Sequence, residues 1–263
     1  MRNVIYQLIL FLYTNNQDDV YALAARNILK NIDKIQDCSI TDLADLCYVS
    51  PATISRLCRK LSFDSFSDFK SAIQSSAGSN YKDRYYPFYN DDLESHKSKE
   101  EILQNHFESI ESTLRSTYEN IDINDISKIC QLIHDSNNII FVGFHTAQFA
   151  SIQFQEKLTF LGKDCYGSLN FNEQLNLIKN AKENDLIILA SLTGGFSKSH
   201  PNLMRYFKRS PAHKVVFSNN PEFNATVDVA IDTLGTQDSL ISKFNLTYVY
   251  ELLEMEYTNT YRK

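Results

Sequence analysis

Apolar residues recur every three or four positions over residues 4–74, which predicts a succession of helices in this part of the chain. In the first of these segments Val4, Leu8 and Leu12 share one helical face. A short basic start ahead of the run resembles the beginning of a secretion signal, but Gln7 and the acidic residues that follow interrupt that pattern. We therefore interpret the segment as a core helix.

From residue 137 onward the pattern changes to short apolar runs separated by helical segments. The runs are Asn138–Gly143, Asp185–Ala190, Lys214–Phe217 and Val227–Ile231. Runs of this kind, buried on both faces and alternating with helices, predict a doubly wound α/β domain with a central parallel sheet. Ligands in such folds bind beyond the carboxyl ends of the strands, so we expect a site at the turns after Val142 and Ala190. A last helix is predicted at about Asp238–Tyr257.

A stretch that follows neither pattern joins these two parts. Residues 77–99 contain a glycine, a proline and a polar end, which indicates a linker, and residues 100–119 have the periodicity of an amphipathic helix. The predicted organisation is an all-helical domain at 1–76, a linker and connecting helix at 77–119, and an α/β domain at 120–263.

Residues 39–61 have the pattern of two short helices joined by a tight turn. Ser39 and Asp42 resemble a capping box, which begins the first helix. Ser50 can cap the second helix, and Pro51 stands at its first position, where a missing N–H costs nothing. These features together predict a helix-turn-helix.

The second of these helices carries residue types that read DNA. Its other side chains are polar or cationic, because its buried stripe consists of Ile54, Leu57, Cys58 and Leu61. Short polar groups at the N-terminal end suit base edges, and the cations suit phosphates or guanine. The predicted DNA-binding residues are Ser50, Ala52, Thr53, Ser55, Arg56, Arg59 and Lys60.

The residues that follow relate this pattern to one family. The chain resembles the RpiR-type helix-turn-helix domain at Val49-Ser50, Arg56, Lys60-Leu61, Phe63, Phe66 and Phe69-Lys70. We interpret the aromatic residues as core packing. Two positions that usually carry glycine differ: Tyr48 stands in the turn, and Ser62 stands at the end of the second helix, where slight strain is expected.

The RpiR family joins this domain to a SIS (sugar isomerase) domain that senses phosphosugars, and the resemblance covers nearly the whole chain. Asn137–Gly162 and Asp185–Ser197 resemble the first and third strand-turn-helix units of that domain. The resemblance implies that backbone N–H groups and hydroxyls at helix N-termini bind an anion. The ligand-binding residues that it implies are Gly143, His145, Thr146, Ser191, Thr193, Gly194, Ser197 and Ser242.

The two ligand loops of this chain depart from the family pattern. In the first loop His145 replaces a glycine and Ala147 replaces a serine, so that Thr146 is the remaining hydroxyl. In the second loop Thr193 is kept, and the last hydroxyl of the pattern is displaced to Ser197. Two interpretations are open at this point. The loops bind a phosphosugar, or the pocket takes a different ligand or none.

Composition and charge limit these interpretations. The net charge of the 263-residue chain is −6, and residues 1–76 contain eight Lys or Arg and eight Asp or Glu, so DNA binding depends on where the cations lie. The five cysteines form no C-x-x-C motif and no histidine pair has metal-ligand spacing, so we expect reduced thiols, no metal and no cofactor. No apolar span reaches the ~18 residues of a membrane helix, and we expect a cytoplasmic protein without a membrane partner.

These features favour a transcriptional regulator of carbohydrate metabolism and not an enzyme. We expect it to bind double-stranded DNA as a homodimer or higher homo-oligomer and to sense a phosphosugar or similar small effector. One alternative is a SIS-type sugar-phosphate isomerase, for which Glu222 and His145 are the nearby candidates for a general base. The other is a ligand-free dimeric DNA binder whose C-terminal domain only dimerises.

Overall fold

The chain forms two compact units, residues 1–97 and 98–263, in a computed structural model. The residues that the structure describes are 4–16, 18–77, 98–143, 146–192, 200–220, 223, 226–232 and 241–262. Each unit has its own apolar core.

The first unit is helical over its described residues, as the sequence predicts. Its elements are α1 (Val4–Thr14), α2 (Val20–Lys30), a 3₁₀ segment (Ile32–Asp37), α3 (Ile40–Leu46), α4 (Pro51–Lys60) and α5 (Phe66–Ala77). One core joins them, and Val4 and Leu8 of α1 are fully buried in it. The first apolar segment is therefore a core helix within this unit.

The ends of α3 and α4 follow from their sequence. Ser39 and Asp42 form a reciprocal capping box at the start of α3, with the Ser39 N–H 2.8 Å from a carboxylate oxygen of Asp42. At the start of α4 the Ser50 hydroxyl accepts a hydrogen bond from the Thr53 N–H at 3.1 Å, and Pro51 occupies the first helical position. These caps satisfy N–H groups that a helix terminus otherwise leaves unpaired.

The second unit is an α/β domain. Its elements are α6 (Lys99–Asn120), α7 (Ile123–Asp135), β1 (Asn138–Gly143), α8 (Thr146–Phe160), β2 (Asp164–Gly167), α9 (Phe171–Asn180), β3 (Leu186–Ala190), α10 (Pro201–Arg209), β4 (His213–Phe217), β5 (Val229–Ile231) and α11 (Ser242–Tyr261). The strands pair in parallel in the order β2-β1-β3-β4-β5. The predicted doubly wound parallel sheet is confirmed.

Both faces of this sheet are buried, which explains the continuous apolar runs. Along β1 the side chains of Ile139 and Phe141 enter a core with α7, α8 and α11. The alternate residues Ile140 and Val142 enter a second core with α9 and α10. Alternate residues of this apolar strand therefore pack against two different layers of helices.

Two elements differ from the sequence-based expectation. The strand β2 was not predicted, because its four residues include a charged Asp164 and are mostly exposed at the edge of the sheet. The last helix begins at Ser242 and extends to Tyr261, four residues later at each end than expected. The predicted connecting helix is α6, which packs against α11 within the second unit.

Candidate functional site

The exposed face of α4 presents the predicted DNA-binding residues. Because successive helical residues are about 100° apart, Ala52, Arg56 and Arg59 lie within one narrow sector, and all three are exposed. The opposite face is anchored, since Ile54, Leu57 and Cys58 are at most 1% exposed. Burial raises the pKa of the Cys58 thiol to about 12, so this cysteine is a packing residue and not a nucleophile at neutral pH.

Lys60 and the two arginines of α4 have different surroundings. The Lys60 ammonium lies 5.0 Å from the centre of the Tyr21 ring, a cation–π contact that fixes it against α2. Among the described residues neither Arg56 nor Arg59 forms an ion pair with a carboxylate. The helix itself contains no Asp or Glu. Its exposed face is therefore locally cationic although the unit is neutral overall.

The turn between α3 and α4 has a tyrosine in the left-handed region, with φ of 57° at Tyr48. The N–H of Val49 donates to the carbonyl of Ala44, and the N–H of Tyr48 donates to the carbonyl of Asp45. These two bonds define a Schellman motif, whose left-handed position usually carries glycine. At the end of α4, Ser62 occupies the corresponding position with φ of 65°, as the sequence predicts.

The second group of predicted residues lies at the carboxyl ends of neighbouring strands. Gly143 at the end of β1 pairs with Ala190 at the end of β3, which brings Ser191 next to the first loop. A Cβ added at Gly143 would lie 3.3 Å from the Ala190 carbonyl oxygen and 3.4 Å from the Gln148 nitrogen. A side chain at this position would therefore require the end of β3 or the start of α8 to shift by a few tenths of an ångström.

A glutamine that the sequence did not point to joins the ends of β1 and β2. The amide of Gln174, on α9, donates to the carbonyl oxygens of Gly143 at 2.7 Å and Ser168 at 2.6 Å. Its own carbonyl oxygen accepts from the Gly143 N–H at 3.2 Å. Gln174 is fully buried, so it holds the ends of β1 and β2 in one arrangement. The available signal was its place in the stripe formed by Phe171, Leu175 and Ile178.

Ser191, the residue directly after β3, is bonded to the neighbouring strand. The Ser191 N–H donates to the Phe217 carbonyl at 2.9 Å, and the Ser218 hydroxyl donates to the Ser191 carbonyl at 2.8 Å. The Ser191 hydroxyl has no hydrogen-bond partner among the described residues. The Thr146 side chain is exposed at the first position of α8. Two hydroxyls are thus placed at the ends of adjacent strands.

The remaining predicted ligand residues are not brought together in the described part of the chain. Ser242 is fully buried in the first turn of α11. The structure does not describe the other predicted positions, which are His145, Thr193, Gly194, Ser197 and the alternative base Glu222. Their assignment to ligand binding stays a prediction.

A groove of about 600 Å³ opens elsewhere, between β2 and α9. Polar side chains that include Asn138, Glu173 and Asp185 line much of it, and none of the predicted ligand residues takes part. The backbone N–H groups at the start of α8 favour an anion, whereas this groove presents the carboxylates of Glu173 and Asp185.

Within the described ranges, no three His, Cys, Asp or Glu side chains are placed to hold a metal ion. In the same ranges no helix has the length and apolar character needed to cross a membrane. Burial raises the pKa of Cys47 to about 11 and that of Cys130 to about 12.

Comparison with known proteins identifies the first unit. Residues 23–80 match the family model of the helix-turn-helix domain, rpiR family. An uncharacterized HTH-type transcriptional regulator of Thermotoga maritima is 26% identical over 171 residues. The matched stretch covers 65% of this chain and 60% of that relative, so the chain spans less than two thirds of the relative's length.

Solved structures share the fold of the chain. The NanR protein of Vibrio vulnificus, in complex with ManNAc-6P, aligns with a TM-score of 0.54 and 19% identity over 98% of this chain and 92% of its own. The sugar isomerase domain of an RpiR transcription factor from Sphaerobacter thermophilus aligns with a TM-score of 0.50 and 15% identity over 59% of this chain and 88% of its own. At these identities the likeness shows the fold alone.

The chain therefore combines a helix-turn-helix domain with a SIS-type α/β domain. Residues 23–80 belong to the rpiR family of helix-turn-helix domains, which is the family that the resemblance in the sequence implies for this part of the chain.

Proposed function

We propose that this protein is a cytoplasmic transcriptional regulator that binds double-stranded DNA through α4 and senses a phosphosugar at the carboxyl edge of its sheet. The observation that carries the proposal is the capped helix α4 inside an rpiR-family domain, with Arg56 and Arg59 exposed on one face. An α-helix with this exposed face fits the major groove, where cations meet phosphate or guanine.

The DNA contact is supported by the distribution of polar groups along α4. Its first turn offers Ser50 and Thr53, whose hydroxyl oxygens lie 2.9 Å apart, near the positive end of the helix dipole. Ala52 and Ser55 leave room for base edges beside them. The cations Arg56 and Arg59 follow one and two turns later, so that phosphates on the groove wall are within their reach.

The variants Arg56→Ala and Arg59→Ala test this contact. Each is expected to weaken binding to a duplex selected from a random pool by the wild-type protein, and to lower the slope of log K against log [salt] by about 0.9 if it removes one phosphate contact. Fluorescence anisotropy of the full chain at several salt concentrations measures both quantities. Lys182→Ala, which removes an exposed cation from the second unit, is the control. Unchanged binding by both arginine variants would rule out α4 as the reading helix.

The sensing role is supported by the geometry of the strand ends. The hydroxyls of Thr146 and Ser191 stand at the ends of adjacent strands, and Thr146 begins a 15-residue helix whose first N–H groups favour an anion. We retain His145, Thr193, Gly194, Ser197 and Ser242 as proposed contacts. The structural likeness to NanR, which was solved with ManNAc-6P, makes that phosphosugar the first ligand to test.

A thermal-shift screen tests the sensing role. A bound ligand stabilises the fold by RT ln(1 + [L]/Kd), about 2.7 kcal/mol at a hundredfold excess over Kd. We expect a rise in Tm with a sugar phosphate and none with the unphosphorylated sugar. Thr146→Val and Ser191→Ala should each reduce the rise, whereas Ser127→Ala on α7 should not. A rise that survives in both variants places the anion elsewhere, and no rise with any sugar phosphate favours the ligand-free DNA binder.

We further propose that the chain is a homodimer formed through α8. Phe149, Ile152 and Phe160 lie along one side of that helix and are 50%, 47% and 80% exposed. Large apolar side chains in a row on the surface mark an interaction site. A two-fold dimer also supplies the two reading helices that a pair of DNA half-sites requires.

A regulator is favoured over the isomerase alternative by the presence of the rpiR-family domain, which an isomerase has no use for. An isomerase would need a general base beside the bound sugar. Incubation of the purified chain with sugar phosphates, followed by chromatography of the products, tests this alternative directly. Turnover that Arg56→Ala leaves unchanged would establish an enzymatic role.

A further inference from the structure

In the described part of the chain three helices end in the same Schellman motif, and the residues at their left-handed positions differ. After α8 the position is Gly162, with φ of 82°, after α4 it is Ser62, and after α3 it is Tyr48. Glycine adopts this conformation without strain, whereas a residue with a bulky side chain does so at a cost to the folded state. The helix-turn-helix therefore contains a strained residue in the turn that leads into α4.

The Tyr48 side chain forms no hydrogen bond or ring contact with the other described residues that would offset this strain. It is 85% exposed, and its ring forms no ring contact with another described residue. Its hydroxyl likewise has no hydrogen-bond partner in the described part of the chain. An exposed aromatic side chain held in a strained conformation indicates a role outside the folded chain.

The position of Tyr48 indicates what that role is. It lies two residues before Ser50, the N-cap of α4, and three before Pro51, so it stands at the end of α4 that offers free N–H groups. Exposed residues continue from it into the first turn of α4 through Ser50, Pro51 and Ala52. Tyrosine hydroxyls are among the groups that donate to DNA phosphates, and such contacts fix the register of a reading helix.

We propose that Tyr48 is a DNA-contacting residue, whose phenol hydroxyl donates a hydrogen bond to a phosphate oxygen beside the N-terminus of α4. This inference rests on the proposed function, since it requires that α4 binds DNA. The tyrosine is neutral, so its contact releases no counterion and adds affinity without adding to the salt dependence. This distinguishes its role from that of Arg56 and Arg59.

The chain supplies a matched control for the test. Tyr48→Gly and Ser62→Gly both remove a side chain from the left-handed position of a Schellman motif in the same unit. Each relieves backbone strain, so both should raise the Tm of the N-terminal unit by about 2 to 6 °C. Only Tyr48→Gly should weaken DNA binding. Tyr48→Phe keeps the ring and removes the hydroxyl.

The experiment measures binding of the full-length chain to a duplex selected from a random pool, by fluorescence anisotropy, together with the Tm of each variant. We expect Tyr48→Phe and Tyr48→Gly to bind about tenfold more weakly with an unchanged salt slope, and Ser62→Gly to bind as the wild type does. Wild-type affinity in Tyr48→Phe overturns the hydroxyl contact. Equal weakening in Tyr48→Gly and Ser62→Gly overturns it as well, because the effect then comes from the backbone. If the wild-type chain itself selects and binds no duplex, the proposed function fails, and this contact fails with it.

Discussion

Gln174 is the residue that joins the carboxyl end of β1 to the residue after β2. Its side chain makes three hydrogen bonds to backbone groups of Gly143 and Ser168 from a fully buried position. Buried backbone groups that lose their partners cost about 1 to 3 kcal/mol each. The ends of β1 and β2 are therefore joined by one side chain of α9.

Replacement of Gln174 by alanine is expected to lower the free energy of unfolding by about 2 to 4 kcal/mol, because it removes three hydrogen bonds that each contribute about 0.5 to 1.5 kcal/mol net. Urea denaturation followed by circular dichroism measures this change. Asn176→Ala, which shortens an exposed polar side chain on the same helix, is the control and should change little. An equal effect of the two substitutions would show that the bridge contributes nothing to stability.

At the scale of residues, the sequence predicted positions that obey a local rule. The caps at Ser39 and Ser50 and the strain at Ser62 follow from neighbours within a few positions. The bridge of Gln174 was not predicted, because its partner Gly143 is 31 residues away and a single glutamine has no periodic signature. A polar residue in an apolar stripe was the only indication.

At the scale of elements, α3 carries a charge that contributes to stability in a pH-dependent way. The hydrogen bonds from Ser39 lower the pKa of Asp42 below its usual value. A carboxyl whose folded pKa is lowered stabilises the fold above its unfolded pKa of about 3.9, and this stability is lost as the pH falls through the folded pKa.

We therefore expect Asp42→Asn to lower the stability of the N-terminal unit at pH 7, by an amount that shrinks between pH 5 and pH 3 as the wild-type carboxylate is protonated. Urea unfolding midpoints at a series of pH values measure this difference. Asp45→Asn is the matched control, because it removes a carboxylate from the same helix without touching the cap. A difference that stays constant down to pH 3 would contradict the role of the charged cap.

The elements that the sequence predicted are those with long, regular apolar patterns. The strands β1 and β3 are buried on both faces, and α4 has a complete stripe of buried residues. The spacing of apolar residues in the sequence therefore indicated whether each element is a strand or a helix. The edge strand β2 has no such pattern, since it pairs on one side only and is mostly exposed. Its pairing with β1 depends on the sheet and not on its own residues.

At the scale of the whole molecule, the two units divide the proposed tasks. The first has a single helical core and carries α4, and the second has a sheet with two cores and carries the strand-end site. Regulation then requires that the effector binds two arrangements of the protein with different affinity.

Such a regulator also requires that its copies associate, and the exposed side of α8 is where we expect this. The helix begins at Thr146, which we propose as an effector contact, so the association surface and the effector loop lie on one rigid element. Glu156, on the same side, is exposed between Ile152 and Phe160. A two-fold axis repeats this charge on the partner subunit, so each further carboxylate on this side of α8 would add like-charge repulsion to the interface.

Introduction of a carboxylate at Ile152 or Phe160 is therefore expected to dissociate the dimer. Ile152→Glu and Phe160→Glu place a charge in a surface that would otherwise be desolvated, and should shift the sedimentation velocity of the chain from that of a dimer to that of a monomer. The fold itself should survive, because both side chains are 47% or more exposed in the single chain. Asn202→Glu adds the same charge to an exposed position of α10 and should leave the dimer intact. A dimer that persists in both α8 variants would place the association surface on another face of the molecule. The two reading helices would then have to be paired through that other face.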